Sequence, residues 1–182
     1  MILKQLLITF CMTIILSINT HAAEPVHFTQ FNKNDFWGNY VGIVKIFSTL
    51  AVDYEDEVAA FVPGDNGQEL LVGACVYGDN NQGHFYLPVY LDDQSTLDTK
   101  DGASVNDPLT FKVWDKSMNQ EFTLTGKQIQ LLPEEGLSIP DNGLTFILDS
   151  TVGMLHMSVN HFHDGKVELK DVITLMKHLA SK

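Results

Sequence analysis

A short acidic segment near the end of the sequence has the residue types and the spacing of a calcium-binding loop. Twelve-residue calcium loops supply oxygen ligands from positions 1, 3, 5, 7, 9 and 12 and need a glycine at position 6, where the chain turns sharply. With Gly165 at position 6, all but one of the ligand positions fall on residues with a suitable oxygen atom. These residues are Asn160, Asp164, Lys166 (through its backbone carbonyl group), Glu168 and Asp171. We therefore predict that calcium is a cofactor of this segment and that these residues are its ligands.

The register of this loop stays open on the sequence alone. Phe162 occupies position 3, and its side chain has no oxygen atom to offer. A bulged register, with Ser158 and Asn160 as ligands and two extra residues before Asp164, fits the segment SVN…DGKVELKDVI better but needs an enlarged loop. The alternative to a working metal site is a degenerate loop that keeps its glycine turn and packs against the rest of the domain.

The residues after this loop have the spacing of one amphipathic helix. Val172, Leu175, Met176 and Leu179 fall on one helical face, and a helix of about three turns needs a surface to cover that face. The segment GKVELKDVITLMKHLA resembles the second half of a type I dockerin repeat, in which an EF-hand calcium loop leads into a docking helix. The resemblance covers a single, degenerate repeat, and it implies a cohesin-like protein partner.

The middle of the chain alternates short β-rich runs with turn clusters from residue 40 to residue 148, which is typical of an all-β sandwich or barrel. Alternation is clear where Leu109, Phe111 and Val113 fall on one face of a predicted strand. The predicted strands are 40–46, 57–62, 70–77, 84–91, 109–115, 121–125 and 144–149. We predict an antiparallel β-sandwich over residues 23–150 and a short EF-hand-like loop with an α-helix over residues 151–182.

Four of these predicted strands occur in an order that resembles a known module. The runs EDEVAAFV, VGACV, YLPVYL and LTFKVWD are similar to the strands of a β-sandwich module common in secreted bacterial proteins, often beside dockerin-type tails. The resemblance implies a non-catalytic scaffold or binding module. Together with the dockerin-like tail, it leads us to expect a binding or assembly module that mediates protein–protein docking.

The first 22 residues have the pattern of a cleaved signal peptide. Lys4 precedes an apolar run of about 11 residues, which is too short to cross a bilayer of roughly 30 Å as a helix. Thr20 and Ala22 are small residues suited to positions −3 and −1 of a cleavage site, so we place the mature start at Ala23. We expect a secreted protein, extracellular or periplasmic, with no membrane insertion.

The charge of the chain argues against nucleic acid as a partner. The net charge is −12, and all 11 basic residues are lysine, whereas arginine is the preferred residue for recognising phosphate. Surplus carboxylates can also bind hard cations. The long segment 92–108 is a second place to expect this, since it carries Asp92, Asp93, Asp98, Asp101 and Asp107.

Catalytic motifs are missing from the sequence, and we do not expect an enzyme. Neither G-x-S-x-G nor H-E-x-x-H occurs, and Cys75, in an apolar run, is expected to be a buried hydrophobe. The alternative to protein docking is a carbohydrate-binding module that binds polysaccharide through surface aromatics. Its candidates are Trp37, Tyr77, Tyr86, Tyr90 and Trp114. Burial of both tryptophans would leave that alternative without a platform.

Overall fold

A computed structural model describes residues 22–65, 67–79, 83–93, 95–96, 99–124, 126–131 and 151–159, together with the single helical positions 173, 176, 177 and 180. Strands dominate the continuous ranges, which also contain a 3-10 turn at Gly126–Gln128. The strands are β1 (Trp37–Ile46), β2 (Thr49–Leu50), β3 (Glu57–Pro63), β4 (Glu69–Val76), β5 (Phe85–Tyr90), β6 (Thr110–Asp115), β7 (Gln120–Leu124), β8 (Ile129–Leu131) and β9 (Thr151–Val159).

These strands form two sheets. In sheet A, β1 pairs with β9 along one side, and β9 pairs in turn with β8. The other side of β1 is shared by β5, which pairs with its first half, and by β2, which pairs with its end. Sheet B has the order β4-β3-β6-β7, and all of its pairs are antiparallel.

Both sheets contribute to one hydrophobic cluster. Every second residue of β1 and of β6 is buried, as a strand with one face in a core requires. The rings of Tyr40 from sheet A and Phe111 from sheet B meet edge to face, with their centroids 5.8 Å apart. Because side chains of this size stabilise by roughly 1.5–3 kcal/mol each when fully buried, this cluster is the main source of the fold's stability.

The predicted strands between residues 40 and 125 are confirmed, with bounds within three residues of those observed. The prediction of a purely antiparallel fold is wrong for one pair, because β1 and β9 are parallel, which makes sheet A mixed. The physical reason is connectivity: a hairpin forces neighbouring strands to be antiparallel, whereas β9 reaches β1 after a long stretch of chain.

Strand β9 lies in a segment that the sequence assigned to the loop before the helix. Leu155, Met157 and Val159 are buried at every second position, which is the period of a half-buried strand. Sheet A therefore continues to Val159, beyond the predicted end of the β-rich domain at residue 150. The predicted strand 144–149 lies outside the described residues, and the predicted C-terminal helix does so except at four positions.

The edges of the two sheets meet where β4 passes β5. A Cβ atom added to Gly73 of β4 would overlap the carbonyl oxygen of Pro88 in β5, so only glycine fits at this point of the strand. The backbones of β4 and β5 therefore approach each other closely at this point. In the part of the chain that the structure describes, no helix has the length and apolar character needed to span a membrane.

Candidate binding groove

Residues 22–36, called here the N-terminal arm, are fixed to sheet B by one buried carboxylate. Glu57 lies at the start of β3 and is 1% exposed. Its oxygens accept hydrogen bonds from the backbone N–H groups of Val26 (2.7 Å), His27 (3.0 and 3.1 Å) and Phe28 (3.0 Å). Hydrogen bonds to an ionised acceptor are roughly twice as strong as neutral ones, so this contact anchors the arm.

The anchored arm covers the outer face of sheet B. The His27 ring stacks on Trp114 with centroids 3.8 Å apart and planes 5° apart, and its Nε2 lies 3.1 Å from Oε2 of Glu121. Next to it, Phe28 is buried in a small cluster with residues of β3 and β4 and contacts Phe61 edge to face. Trp114 is therefore half-buried cover for the sheet.

A different aromatic surface lies on the outer side of β1 and β5. Trp37 is opposite Tyr90, and Asn39 is opposite Pro88, so these side chains point to the same face of the antiparallel pair. Tyr86 shares this face because it is two and four positions from Pro88 and Tyr90. Trp37 and Tyr86 are 43% and 42% exposed, respectively.

These side chains form the floor of a groove with a volume of about 290 Å³. At one end, the rings of Trp37 and Tyr90 have centroids 6.3 Å apart, and Tyr90 stacks in turn on Phe31 of the arm at 5.9 Å. Tyr86 lies at the other end, roughly 13 Å along the strand from Tyr90 at a rise of about 3.3 Å per residue. Pro88 lies between these ends, so the floor is an aromatic surface with a flat middle.

Asn39 gives this floor an unused polar atom. Its Oδ1 is buried and has no hydrogen-bond partner among the described residues. An amide oxygen in this position is an acceptor for a donor group that enters the groove. Buried acceptors are nearly always paired in folded proteins, and one without a partner beside a groove therefore points to a ligand or to solvent.

The groove is walled by the start of the N-terminal arm and by the turn after β4. Lys33 forms an ion pair with Glu24 at 2.7 Å, and the backbone N–H of Ala23 donates to Oδ1 of Asp79 at 2.8 Å. Burial in this environment raises the pKa of the Tyr90 phenol, which stays protonated and able to donate a hydrogen bond at neutral pH.

Cys75 also lines the groove, and its burial is confirmed. Removal from water raises the pKa of its thiol far above the ordinary range. Because the thiolate is the reactive form, a thiol held protonated in this way is a poor nucleophile.

In the described part of the acidic segment 92–108, the carboxylates are engaged mainly within the loop. Asp92 and Asp101 accept hydrogen bonds from backbone N–H groups of the same loop, and Asp107 pairs with Lys100 at 2.7 Å. The hydrogen bond from the backbone N–H of Asp93, with others from the side chains of Asn32 and Thr96, holds the pKa of Asp101 below its usual range, against a smaller opposing effect of burial. Among the described residues, no three His, Cys, Asp or Glu side chains are arranged to hold a metal ion.

The structure places some, but not all, of the site residues predicted from the sequence in the groove. The predicted calcium ligands Asn160, Asp164, Lys166, Glu168 and Asp171 lie outside the described residues. Of the candidate aromatics, Tyr77 is buried and donates its hydroxyl to the Gly83 carbonyl group, and Trp114 is covered by the arm. The other three, Trp37, Tyr86 and Tyr90, line the groove.

Sequence reasoning missed the polar members of the groove, Asn39, Lys33, Glu24 and Asp79. The alternation of β1 was a usable signal, because it places Asn39 on the same face as Trp37. Lys33, Glu24 and Asp79 come from loops whose paths depend on distant contacts, so no local pattern marks them.

Comparison with protein-family models, with curated proteins and with solved structures finds no match to this chain.

Proposed function

We propose that this chain is a secreted, non-catalytic binding module, that its two sheets form a β-sandwich, and that it binds neutral carbohydrate in the groove on β1 and β5. The observation that carries this function is the pair of exposed rings, Trp37 and Tyr86, with Asn39 between them, whose Oδ1 has no hydrogen-bond partner among the described residues.

The chemistry of a sugar fits this floor. A sugar ring has a C–H face that packs against the electron-rich face of an aromatic side chain, and hydroxyl groups that donate and accept at its rim. The Oδ1 atom of Asn39 would accept from a hydroxyl group, and the Tyr90 phenol would donate to another. Small-molecule sites commonly combine an aromatic lining with a few polar groups in this way.

The charges favour a neutral sugar over an acidic one. Lys33 is neutralised by Glu24, and Asp79 adds a carboxylate to the wall. The net charge of −12 repels anionic polymers in addition. Neutral polysaccharides such as β-glucan, xylan and mannan are therefore the ligands to test first.

Affinity electrophoresis of the mature protein through gels containing each polysaccharide tests this function, followed by titration calorimetry with the matching oligosaccharide. Trp37→Ala and Tyr86→Ala should each weaken binding roughly ten-fold, since a lost stacking contact of about 1.4 kcal/mol has this effect. Tyr54→Asn is the matched control, because it removes an equally exposed ring outside the groove. Binding that survives both groove variants would place the site elsewhere.

Calcium-ordered docking of a cohesin-like protein by residues 160–182 is a second proposal, and it rests on the sequence pattern of that segment. Calcium titration of the mature protein by calorimetry should give micromolar binding that is lost in an Asp164→Ala, Asp171→Ala double variant. Binding retained in the double variant would move the site to the acidic segment 92–108. Absence of binding in both proteins would leave the loop with a packing role.

A further inference from the structure

The first residue after the predicted cleavage site already contacts a carboxylate. The backbone nitrogen of Ala23 lies 2.8 Å from Oδ1 of Asp79, across the wall of the groove. Both residues are half-buried, whereas Ala22 is exposed. The bond between Ala22 and Ala23 therefore joins an accessible residue to one held against the fold.

Cleavage at this bond changes the chemistry of the contact. A peptidase adds water to the Ala22–Ala23 peptide bond, the C–N bond breaks, and the carbonyl carbon of Ala22 becomes a carboxylate. The nitrogen of Ala23 keeps the electron pair and takes up protons to become an α-ammonium group. A neutral N–H donor 2.8 Å from Asp79 is thereby replaced by a cationic one, and hydrogen bonds between charged partners are roughly twice as strong.

We propose that Asp79 is the acceptor for the α-ammonium group produced when the leader is removed, so that processing before Ala23 fastens the N-terminal arm in place. The arm is then held at two points, Ala23 on Asp79 and Val26 to Phe28 on Glu57. Pro25 lies between the two points and restricts the backbone there. Processing also removes Ala22 from the lining of the groove.

Few other charges compete for the new ammonium group among the described residues. Glu24 is engaged by Lys33 at 2.7 Å, which leaves Asp79 as the carboxylate in hydrogen-bond contact with the Ala23 nitrogen. The titratable groups that line the groove are Glu24 and Lys33 from the arm, Cys75 and Asp79 from β4 and its following turn, and Tyr86 and Tyr90 from β5. This role of Asp79 does not depend on what the groove binds.

Four proteins test this contact as a double-mutant cycle. One begins at Ala23, a second carries one added glycine before Ala23, and each is also made with Asp79→Asn. The added glycine is a close control, because it restores a neutral amide at Ala23 and moves the ammonium group one residue away. A fusion partner whose protease leaves no extra residues supplies each starting residue.

The free energy of unfolding is then measured between pH 7 and pH 10. An α-ammonium group titrates at about 7.7–8.0 in an unfolded chain, and a neighbouring carboxylate raises its pKa in the folded state. A group with a raised pKa stabilises fully below the unfolded value, and this stabilisation is lost as pH rises through the folded value. Cys75 adds a slope of its own above about pH 8.5, to which Asp79 contributes. Because this contribution is the same with and without the added glycine, the cycle removes it.

Between pH 7 and pH 10, the folded-to-unfolded ratio of the protein that begins at Ala23 with Asp79 intact should fall by up to about five-fold more than that of each of the other three proteins. An aminopeptidase should also release Ala23 more slowly from this protein than from its Asp79→Asn counterpart, because the contact protects the chain end. Equal pH profiles for Asp79 and Asp79→Asn in the chains that begin at Ala23 would overturn the role of Asp79. An equal profile in the glycine-extended chain would overturn the role of the new ammonium group.

Discussion

Each sheet presents one tryptophan on its outer side, and the N-terminal arm covers only one of them. On sheet B, His27 stacks on Trp114 and Phe28 is buried beside it. On the β1–β5 part of sheet A, Trp37 and Tyr86 remain 43% and 42% exposed. Since both faces carry aromatic side chains, the covering segment, rather than composition, separates a structural surface from a candidate binding surface.

The two faces also differ in how their buried polar groups are used. On sheet B, Glu57 is engaged by three backbone N–H groups of the arm, which completes the contact. On sheet A, Oδ1 of Asn39 has no partner within the described ranges. Buried polar atoms are normally paired. An acceptor with its hydrogen bonds made indicates a structural surface, whereas an acceptor without a partner indicates a surface that can take a ligand.

Replacing Glu57 by alanine should break the covering of sheet B. We expect the free energy of unfolding to fall by about 3 kcal/mol. The loss is no larger because the arm can detach, after which its N–H groups form hydrogen bonds with water. In a Trp37→Phe background, Trp114 emission should shift to longer wavelength as its ring is hydrated. Urea unfolding and emission spectra measure the two effects.

The control for this experiment is Glu69→Ala, which removes an exposed partner of Lys112. Lys112 keeps Glu121 as a second partner and the Glu69 side chain is about half exposed, so this variant should lose less than about 1 kcal/mol. Similar losses in the Glu57 and Glu69 variants would show that Glu57 is not the anchor of the arm.

The pH chosen for comparing the faces matters, because Asp56, the neighbour of Glu57, titrates near neutrality. Burial raises the pKa of Asp56 to about 6, against hydrogen bonds from the backbone N–H groups of Val52 and Lys116. A carboxyl group with a raised pKa in the folded state stabilises at low pH, and this stabilisation is lost as pH rises from about 4 to about 6.

Asp56→Asn should remove this pH dependence. We expect the unaltered protein to lose up to ~3 kcal/mol relative to the variant between pH 4 and pH 7. Urea unfolding of both proteins in steps across this interval measures the difference. A difference that stays constant with pH would contradict the raised pKa of Asp56.

The two tryptophans give a direct test of the contrast between the faces. Trp114→Ala should cost ~2 kcal/mol of unfolding free energy, because it removes a half-buried ring that packs under His27. Trp37→Ala should cost ~0.5 kcal/mol, because its partly exposed ring lies on the surface and is not covered by the arm. Chemical unfolding of the two variants compares them, and equal losses would mean that Trp37 is structural as well.

Glu121→Gln should have the smallest effect on the covered face. Burial opposes ionisation of Glu121, but hydrogen bonds from His27 and Lys112 hold its pKa below the usual range. A carboxylate whose pKa is lowered in the folded state stabilises the fold above its unfolded pKa, and this stabilisation is lost as pH falls through its folded pKa. The free energy of unfolding of the variant should therefore be lower by ~0.5 kcal/mol at pH 7 and by less below about pH 4. Thermal unfolding at the two pH values checks this, and a loss that grows at low pH would contradict it.

Local patterns predicted the strands well and gave no prediction of which strands pair. The alternation in 109–115 was enough to predict β6, because a strand with one buried face has apolar side chains at every second residue. The parallel pairing of β9 with β1 depends on residues more than one hundred positions apart. The period of two in β9 was present in Leu155, Met157 and Val159, but the calcium-loop pattern that follows drew the interpretation away from it.

The groove was predictable only as a set of candidates. Trp37, Tyr86 and Tyr90 were singled out with Tyr77 and Trp114, and the sequence could not say which rings would be covered. That outcome depends on the arm, whose position is set by one carboxylate, Glu57. In the sequence, Glu57 stands among adjacent acidic residues, and nothing local distinguishes it as the one that holds the arm.

The grip of Glu57 on the arm has an evolutionary consequence. Glu57 holds main-chain N–H groups, which every residue except proline carries. Substitutions at Val26, whose side chain is 78% exposed, can therefore accumulate among related proteins without loosening the anchor. In a sequence alignment the arm would appear variable and would be left out of the domain boundaries. A domain that starts at β1, however, would leave Trp114 uncovered. Conservation of Glu57, which lies on β3 and not in the arm, would then be the sign that related proteins have the same arm.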